Sequence, residues 1–234
     1  MLDIKDPKVA IPVVLIAGLF WSFGPYVVRH IDGAQQVPWQ YLFTRGVVIF
    51  TILNLFLYLE EGNEFIKNYT RIGISGAIGG IGLGVAMITF IYSITNTSAA
   101  VTLLCLAAMP FITALLGFLF LKEIISANVW IAIFIAAIGI IVMAIDNTGK
   151  NTILGFVFGI ASSIGFSIFS ITLRWKKDTP KFTTVALAGL FCCIFSAVMI
   201  ITNDLNFLST GKNQSLFATH GTLVCLGLIL YSIG

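Results

Sequence analysis

The sequence predicts an all-α polytopic membrane protein, built as two inverted five-helix repeats of which the second is incomplete, with about seven or eight of ten transmembrane helices present. Three observations predict this class. The chain of 234 residues is 58% hydrophobic and only 10% charged, with a mean hydropathy of +1.02, whereas a soluble domain carries about 25% charged residues. Apolar runs of membrane-spanning length follow one another, and a shift of about 145 residues partly matches the chain with itself. No soluble core could bury this much apolar surface, so lipid is the expected solvent.

A bilayer crossing needs about 20 mostly apolar residues. Runs of that kind cover residues 10–29, 38–59, 72–92, 98–121, 127–145, 152–173 and 183–202. An eighth run begins near Gly221 and is still apolar at Gly234. The first run is too long for the apolar region of a signal peptide and lacks a small-x-small cleavage site, so we expect it to be a membrane span.

Lys and Arg residues outside the spans predict the orientation, because cytoplasmic loops carry their excess. With a cytoplasmic N-terminus, nine of them lie inside: Lys5, Lys8, Lys67, Arg71, Lys122, Arg174, Lys176, Lys177 and Lys181. Only Arg29, Lys150 and Lys212 then lie outside. The bias predicts a cytoplasmic N-terminus. Since the basic residues are spread over loops and form no patch, we expect no nucleic-acid partner.

The internal match is sparse but ordered. Under the shift, Trp21-Ser22 falls on Phe166-Ser167, Arg29 on Arg174, Gly76 on Gly221, and Gly82-Leu83 on Gly227-Leu228. The repeat unit holds five spans, an odd number, so successive copies enter the membrane from opposite sides, and transporters of this kind bind substrate near the midplane. We therefore expect a first repeat over residues 1–147 and an incomplete second repeat over 148–234, as a fragment of a ten-span protein of about 290–300 residues.

Three pieces of the chain carry a family likeness. They are Trp21 with Ser22 in the first span, Pro38 followed by Arg45 in the second, and the block from Tyr92 to Val142 that holds Ser98-Ala99-Ala100, Pro110, Glu123 and Gly139. In their order and spacing the chain resembles the EamA-type transporters of the drug/metabolite transporter superfamily. The likeness is strong to about residue 147 and weaker afterwards.

The resemblance implies ten helices in two inverted units, with both termini in the cytoplasm. It also implies a permease or exporter of small organic metabolites, amino acids or drugs, working by alternating access. We further expect the bacterial inner membrane as the location, with the lipid bilayer and a small-molecule solute as partners. No cofactor is expected, and a homodimer is left open.

Arg45 is the charged residue that lies well inside a span, about seven residues in, or roughly 10 Å from its end. Charges inside a membrane are costly and usually functional or paired. One interpretation is a contact to an anion or carboxylate on the substrate route. The other is a side chain that snorkels to outer carbonyls or headgroups. The sequence leaves both open.

Pro110 lies in the middle of the fourth span and has no N–H, so the carbonyl of Leu106 loses its helical partner. In hydrocarbon that group needs another helix, water or a ligand, which is typical of a transporter helix. Glu123 closes the same span. We expect it to tie a cytoplasmic end together, with Lys122 or a basic loop, rather than to act as a gate.

Aromatic and glycine residues give weaker candidates. Trp21 lies near mid-span, where its indole N–H needs a partner, and Pro25 frees its carbonyl. Tyr92 and Phe166 are further candidates for the substrate pathway, although packing is the commoner role for each.

Gly76, Gly80 and Gly84 form one face of the third span. Small residues at this spacing let helices approach closely, and the resemblance adds that a thin face could widen the route.

Metal and proton chemistry find little support. The cysteines lie in apolar runs without a CxxC pair and are expected to act as small apolar packing residues: Cys105, Cys192, Cys193 and Cys225. His30 and His220 each stand alone near a span end, so no metal site is expected. The carboxylates near the membrane sit at span ends: Glu60, Glu61, Glu123 and Asp146. A carboxylate proton relay therefore has no candidate.

Other classes fit less well. A membrane enzyme needs a polar constellation such as paired His and Asp within the spans, and because the sequence offers none we expect no enzyme. A seven-helix receptor places its N-terminus outside, against the charge bias. A retinal protein needs a lysine in its last helix, and none lies between Thr183 and Thr202. A non-transporting structural subunit or an inactive fragment of a transporter stays open as the alternative.

Overall fold

A computed structural model describes residues 7–145 and 153–233, and every regular element in these ranges is helical. The predicted boundary between residues 147 and 148 lies outside the described residues. Lys5, Asp146, Lys150 and Gly234 also lie outside them.

The helices follow the apolar runs. They are α1 (Pro7–Ser22), α2 (Gly24–Arg29), α3 (Pro38–Glu61), a 3₁₀ turn (Gly62–Glu64), α4 (Phe65–Arg71), α5 (Gly73–Asn96), α6 (Ala99–Leu106), α7 (Met109–Leu121), α8 (Ala127–Ile145), α9 (Ile153–Trp175), α10 (Lys181–Thr202) and α11 (Gly211–Ile233). Among the described residues, seven segments are long and apolar enough to cross a membrane, and α8 adds a shorter apolar helix over Ala127–Val142. The predicted all-helical membrane architecture is confirmed at this level.

One span boundary was predicted wrongly. The eighth span begins at Gly211, well before Gly221. The extra turns carry polar residues that lower the average hydropathy, but the side chains of these residues are hydrogen-bonded. Asn213 Nδ2 donates to the Asp32 carbonyl at 2.9 Å, and Gln214 Nε2 donates to Thr44 Oγ1 at 2.9 Å. These bonds lower the cost of a polar helix start.

Prolines break two of the predicted spans. The first span divides into α1 and α2, and Pro25 occupies the first turn of α2. The fourth span divides into α6 and α7, and Pro110 occupies the first turn of α7. A proline is tolerated in a first turn because the N–H it lacks would have no helical partner there. Each span therefore consists of two shorter helices.

The chain forms two compact units. The α3 unit contains α1–α4, α10 and α11, and the α5 unit contains α5–α9. The units do not follow the predicted repeat boundary, because α10 and α11 of the second repeat pack with helices of the first. The repeat is a relation between sequences, and it stays a prediction.

In the α3 unit, α3 packs against α10 and α11, and α11 packs against α1. Helices α3 and α10 cross where Gly46 meets Gly189: a Cβ on Gly46 would lie 2.7 Å from the Gly189 carbonyl oxygen. The ring centroids of Phe43 and Phe207 lie 5.1 Å apart near one end, and those of Phe56 and Phe182 lie 5.3 Å apart near the other. The two helices are therefore antiparallel.

In the α5 unit, α5 runs along α9, and α9 also packs against α6 and α7. Ser75 Oγ, near the start of α5, donates to the Thr172 carbonyl near the end of α9 at 2.9 Å. A Cβ on Gly165 would lie 2.6 Å from the Gly82 carbonyl oxygen. These contacts make α5 and α9 an antiparallel pair whose backbones approach closely through glycine.

Candidate functional site

Buried and half-buried polar side chains lie on α3 and α11, inside the α3 unit. We call them the α3–α11 polar cluster: Gln40, Tyr41, Thr44, Arg45, Gln214 and His220. The α3 members stand at i, i+1, i+4 and i+5, so they share one side of that helix. Buried polar groups need hydrogen-bond partners, which makes each contact in this cluster informative.

Tyr41 and His220 form the centre of the cluster. The Tyr41 hydroxyl and His220 Nδ1 share a hydrogen bond, and both side chains are almost fully buried. Phe217, one turn before His220, stacks on the Tyr41 ring with centroids 4.9 Å apart. The pair is thus held in place by an apolar ring on one side and by its own hydrogen bond.

Arg45 lies one turn beyond Tyr41 and is only 5% exposed. Its guanidinium is close enough to interact electrostatically with Tyr41, His220 and Cys192. Gly221 brings α11 near at this level, because a Cβ there would lie 3.3 Å from the Arg45 Cα. A guanidinium presents a planar set of N–H donors that matches a carboxylate. Arg45 is therefore chemically suited to a carboxylate, and its role on a substrate route stays a prediction.

Two amide oxygens add acceptors to the cluster. Gln214 donates through Nε2 to Thr44, while its Oε1 is buried without a hydrogen-bond partner in the described part of the chain. Gln40 is 7% exposed, and its Oε1 is likewise buried and without such a partner. Acceptors of this kind suit an N–H group of a solute.

The end of α11 next to the cluster is clasped to the segment after α2. Lys212 Nζ lies 2.9 Å from a carboxylate oxygen of Asp32. Asn213 donates to the Asp32 carbonyl at 2.9 Å and accepts from the Asp32 N–H at 3.0 Å. This clasp fixes the register of α11, and with it the position of His220.

Trp21 belongs to the same unit but to another level of α11. It is half-buried, its ring centroid lies 5.6 Å from that of Tyr231, and it lies against Gly227. Arg45, in contrast, approaches α11 near His220 and Gly221, about two turns earlier. The pathway role of Trp21 stays a prediction.

The other predicted aromatic residues lie in the α5 unit. Tyr92 of α5 packs on Phe158 of α9, with ring centroids 5.4 Å apart. Phe166 contacts Phe169 of the same helix edge to face at 5.8 Å. Their pathway roles stay predictions.

The break at Pro110 is supported by serines of α9. Ser163 Oγ donates to the Cys105 carbonyl at 2.7 Å, just before the break, and Ser167 Oγ donates to the Met109 carbonyl at 3.1 Å, just after it. The carbonyls that α9 satisfies here are those of Cys105 and Met109, and the expectation about the Leu106 carbonyl stays a prediction. The serines were not recognised from the sequence, although they lie one turn apart on a single face.

Glu123 pairs with Arg174 at the common end of α7 and α9. Arg174 Nη2 lies 2.5 Å from Glu123 Oε2, and both side chains are partly exposed. The tie at the end of the span therefore involves Arg174, in the last turn of α9. Lys122 instead takes a left-handed conformation, with φ of 56°, that ends α7. A gate role for Glu123 stays a prediction.

The predicted glycine face of α5 is buried, as Gly76, Gly80 and Gly84 all are. The close approach to α9, however, is seen at Gly82, which was not assigned to that face. Packing through Gly76, Gly80 and Gly84 stays a prediction.

His220 is the main residue that sequence reasoning missed. It was placed at a span end because the start of the eighth span was set too late, and it lies well inside α11. The signal was available in part, since Tyr41 and Arg45 stand at i and i+4 and so mark one polar face of α3. Among the described residues, no group of three His, Cys, Asp or Glu residues is placed to hold a metal ion.

The sequence from residue 8 to residue 145 matches the EamA-like transporter family. The chain belongs to this family. Two relatives from Helicobacter pylori, strains J99 and 26695, are each described as an uncharacterized transporter. They are 27% identical over 202 residues and 28% identical over 205 residues, and each alignment covers 86% of this chain and 67% of the relative.

A solved crystal structure of a protein has the same fold. Its TM-score to this chain is 0.71 at 16% identity, and the match covers 97% of this chain and 79% of the other. At this identity the likeness concerns the fold alone. The EamA-like chain is thus a membrane protein of a transporter family, with bacterial transporters as relatives.

Proposed function

We propose that this EamA-like protein is a permease or exporter of small organic metabolites or amino acids that carry a carboxylate, and that it works by alternating access. The observation that carries the proposal is the buried Arg45, which lies about 10 Å inside a candidate span beside Tyr41 and His220. A charge at this depth is costly, and such charges are usually functional or paired. Trp21, Tyr92, Pro110 and Phe166 are proposed as further pathway residues.

The architecture of alternating access rests on the inverted repeat. Under the predicted period, α3 corresponds to α10, and these two helices are antiparallel, as inversion requires. The period also relates the pair α1 and α11 to the pair α9 and α5, and both pairs are packed partners. Gly227 of α11 meets Trp21 of α1, and its counterpart Gly82 of α5 meets α9. These matches support two inverted copies around a shared substrate route.

The location follows from family, relatives and charge. Bacterial transporters as relatives support the bacterial inner membrane, and the excess of Lys and Arg supports a cytoplasmic N-terminus. On this orientation the clasp between Asp32 and Lys212 lies outside, and the pair of Glu123 and Arg174 lies inside. A homodimer stays a hypothesis.

The experiment is uptake and counterflow in proteoliposomes. The full chain is reconstituted and offered radiolabelled amino acids, monocarboxylates and amines. We expect saturable flux of a carboxylate-bearing compound. Arg45→Gln should lower this flux at least about tenfold because it removes a charge-assisted contact, and Arg45→Lys should lower it less, since lysine keeps the charge but lacks the planar fork. Arg29→Lys, at the exposed end of α2, is the control and should transport normally.

Two results would contradict the proposal. Unchanged flux in Arg45→Gln would remove the carboxylate contact. No flux of any compound from folded, monodisperse protein would favour the alternative, a non-transporting structural subunit or an inactive fragment of a transporter.

A further inference from the structure

The two histidines of the chain lie in opposite environments. His30 is exposed at the end of α2, where its Nδ1 lies 2.8 Å from the Tyr26 carbonyl oxygen. His220 is 1% exposed in α11 and shares a hydrogen bond with the Tyr41 hydroxyl. The role proposed for Arg45 does not by itself explain why an imidazole is buried here.

The groups around His220 come from several helices. Helix α3 contributes Tyr41 and Arg45, and α10 contributes Cys192 beside Arg45. Helix α11 itself carries Cys225, and Lys212, which pairs with Asp32. The ionisable residues of α2 and of the segment after it are exposed: Tyr26, Arg29, His30 and Asp32. Of the groups close to His220, Arg45 carries the permanent charge. The protonation of His220 must therefore respond to whatever neutralises Arg45.

We propose that His220 is a proton-binding residue coupled to Arg45, so that a proton and a substrate carboxylate bind together. The inference rests on the proposed function, because it takes Arg45 as the carboxylate contact. An imidazolium beside a guanidinium suffers like-charge repulsion, which is strong where water is excluded. A carboxylate on Arg45 cancels that repulsion, and a proton on His220 in turn favours the carboxylate. Flux should then rise as the pH on the loaded side falls.

The Tyr41 hydroxyl can stay hydrogen-bonded to His220 in both protonation states of the imidazole. In neutral His220, Nδ1 can accept from the Tyr41 hydroxyl. When the ring takes a proton from water, both of its nitrogens carry hydrogen, so Nδ1–H donates to the Tyr41 oxygen and the hydroxyl hydrogen turns away. A hydroxyl can both donate and accept, whereas the ring of a Tyr41→Phe variant can do neither.

Nitrogen NMR of the full chain tests the coupling without knowledge of the substrate. The protein, labelled with ¹⁵N-histidine and placed in lipid nanodiscs, gives nitrogen signals from two imidazole rings, and exposed His30 serves as the internal control. The pH at which His220 is half protonated is compared between Arg45→Lys and Arg45→Gln. We expect this pH to be about one unit higher in Arg45→Gln, which lacks the repelling charge.

If Arg45→Gln does not fold, a second measurement on the unaltered protein tests the coupling between His220 and Arg45. The unaltered protein is titrated with sodium propionate and, as the uncharged control, with propionamide. Propionate should raise the protonated fraction of His220 at a fixed pH, and propionamide should not. A midpoint for His220 that is equal in the two variants, or no response to propionate if the variant is lost, overturns the coupling. Loss of transport together with a responsive His220 would instead contradict the proposed function alone.

Discussion

At the scale of single residues, this protein places polar side chains where a hydropathy profile sees only an apolar run. Tyr41 and His220 share a hydrogen bond, and Gln214 Nε2 donates to the Thr44 hydroxyl. A buried donor or acceptor without a partner costs about 1–3 kcal/mol, so such pairs fix the register of one helix against its neighbour. Glycine has the complementary role, because it lets the backbones come close enough for these pairs to form.

Substitution of Gly46 tests the close approach of α3 and α10. A Cβ at Gly46 would lie 2.7 Å from the Cys193 nitrogen and the Gly189 oxygen, both backbone atoms, so one helix must shift. We expect Gly46→Ala to lower the free energy of unfolding by about 1–3 kcal/mol, measured by thermal or denaturant unfolding in detergent. Gly18→Ala in α1 is the control, since nothing lies within 4 Å of a Cβ there. Equal stability of the two variants would contradict the assigned crossing.

At the scale of helices, the two prolines determine where spans are interrupted, and the neighbours determine whether the interruption is stable. Around Pro110 the carbonyls of Cys105 and Met109 accept from Ser163 and Ser167 of α9. Irregular backbone at membrane depth is tolerated only where protein or water satisfies it. Helix α9 therefore supports α6 and α7 as one span.

Serine substitutions test this support. Ser163→Ala and Ser167→Ala each remove a hydroxyl donor to a carbonyl beside the break. Hydrogen bonds between membrane helices contribute about 0.6–2 kcal/mol, so each variant should unfold more easily by an amount in that range. Ser215→Ala is the control, because its hydroxyl is exposed and donates to Lys212 of its own helix. A Ser163→Ala and Ser167→Ala double variant as stable as Ser215→Ala would show that α9 does not stabilise the break.

At the scale of the whole molecule, the proposal depends on the sides of the membrane to which the loops belong. The charge bias and the odd number of spans in a repeat predict that the segment near Asp32 is outside and that the segment near Lys176 is inside. The contacts agree on relative direction within each unit, since α3 and α10 are antiparallel, as are α5 and α9.

Cysteine labelling tests this topology. Cysteine is introduced at Asp32 or at Lys176, two exposed positions, in a chain whose four native cysteines are replaced. In intact cells an impermeant maleimide should label Asp32→Cys and should not label Lys176→Cys until the membrane is opened. Labelling of both positions from the same side would contradict two inverted copies.

The sequence by itself determined the solvent, the all-helical class and the order of the apolar runs, and it marked Pro110 as a place where a span loses a backbone hydrogen bond. These properties depend on the composition of a short window or on the lack of one N–H group, so a local reading suffices. It also singled out Arg45, because a charge within an apolar run is a local signal. The match to the EamA-like transporter family confirmed the resemblance that the order of these local features had indicated.

Only the tertiary structure decided which residues meet. Tyr41 and His220 are 179 residues apart in the chain, and Glu123 and Arg174 are 51 apart. A polar residue in an apolar run can be a span end, a lipid-facing exception or half of a buried pair, and its own sequence neighbours do not distinguish these cases. The pairing is decided by which helix faces pack, because a partner on another helix removes the cost of burying the polar group. For that reason the start of α11 and the pairing of His220 with Tyr41 emerged only from the fold.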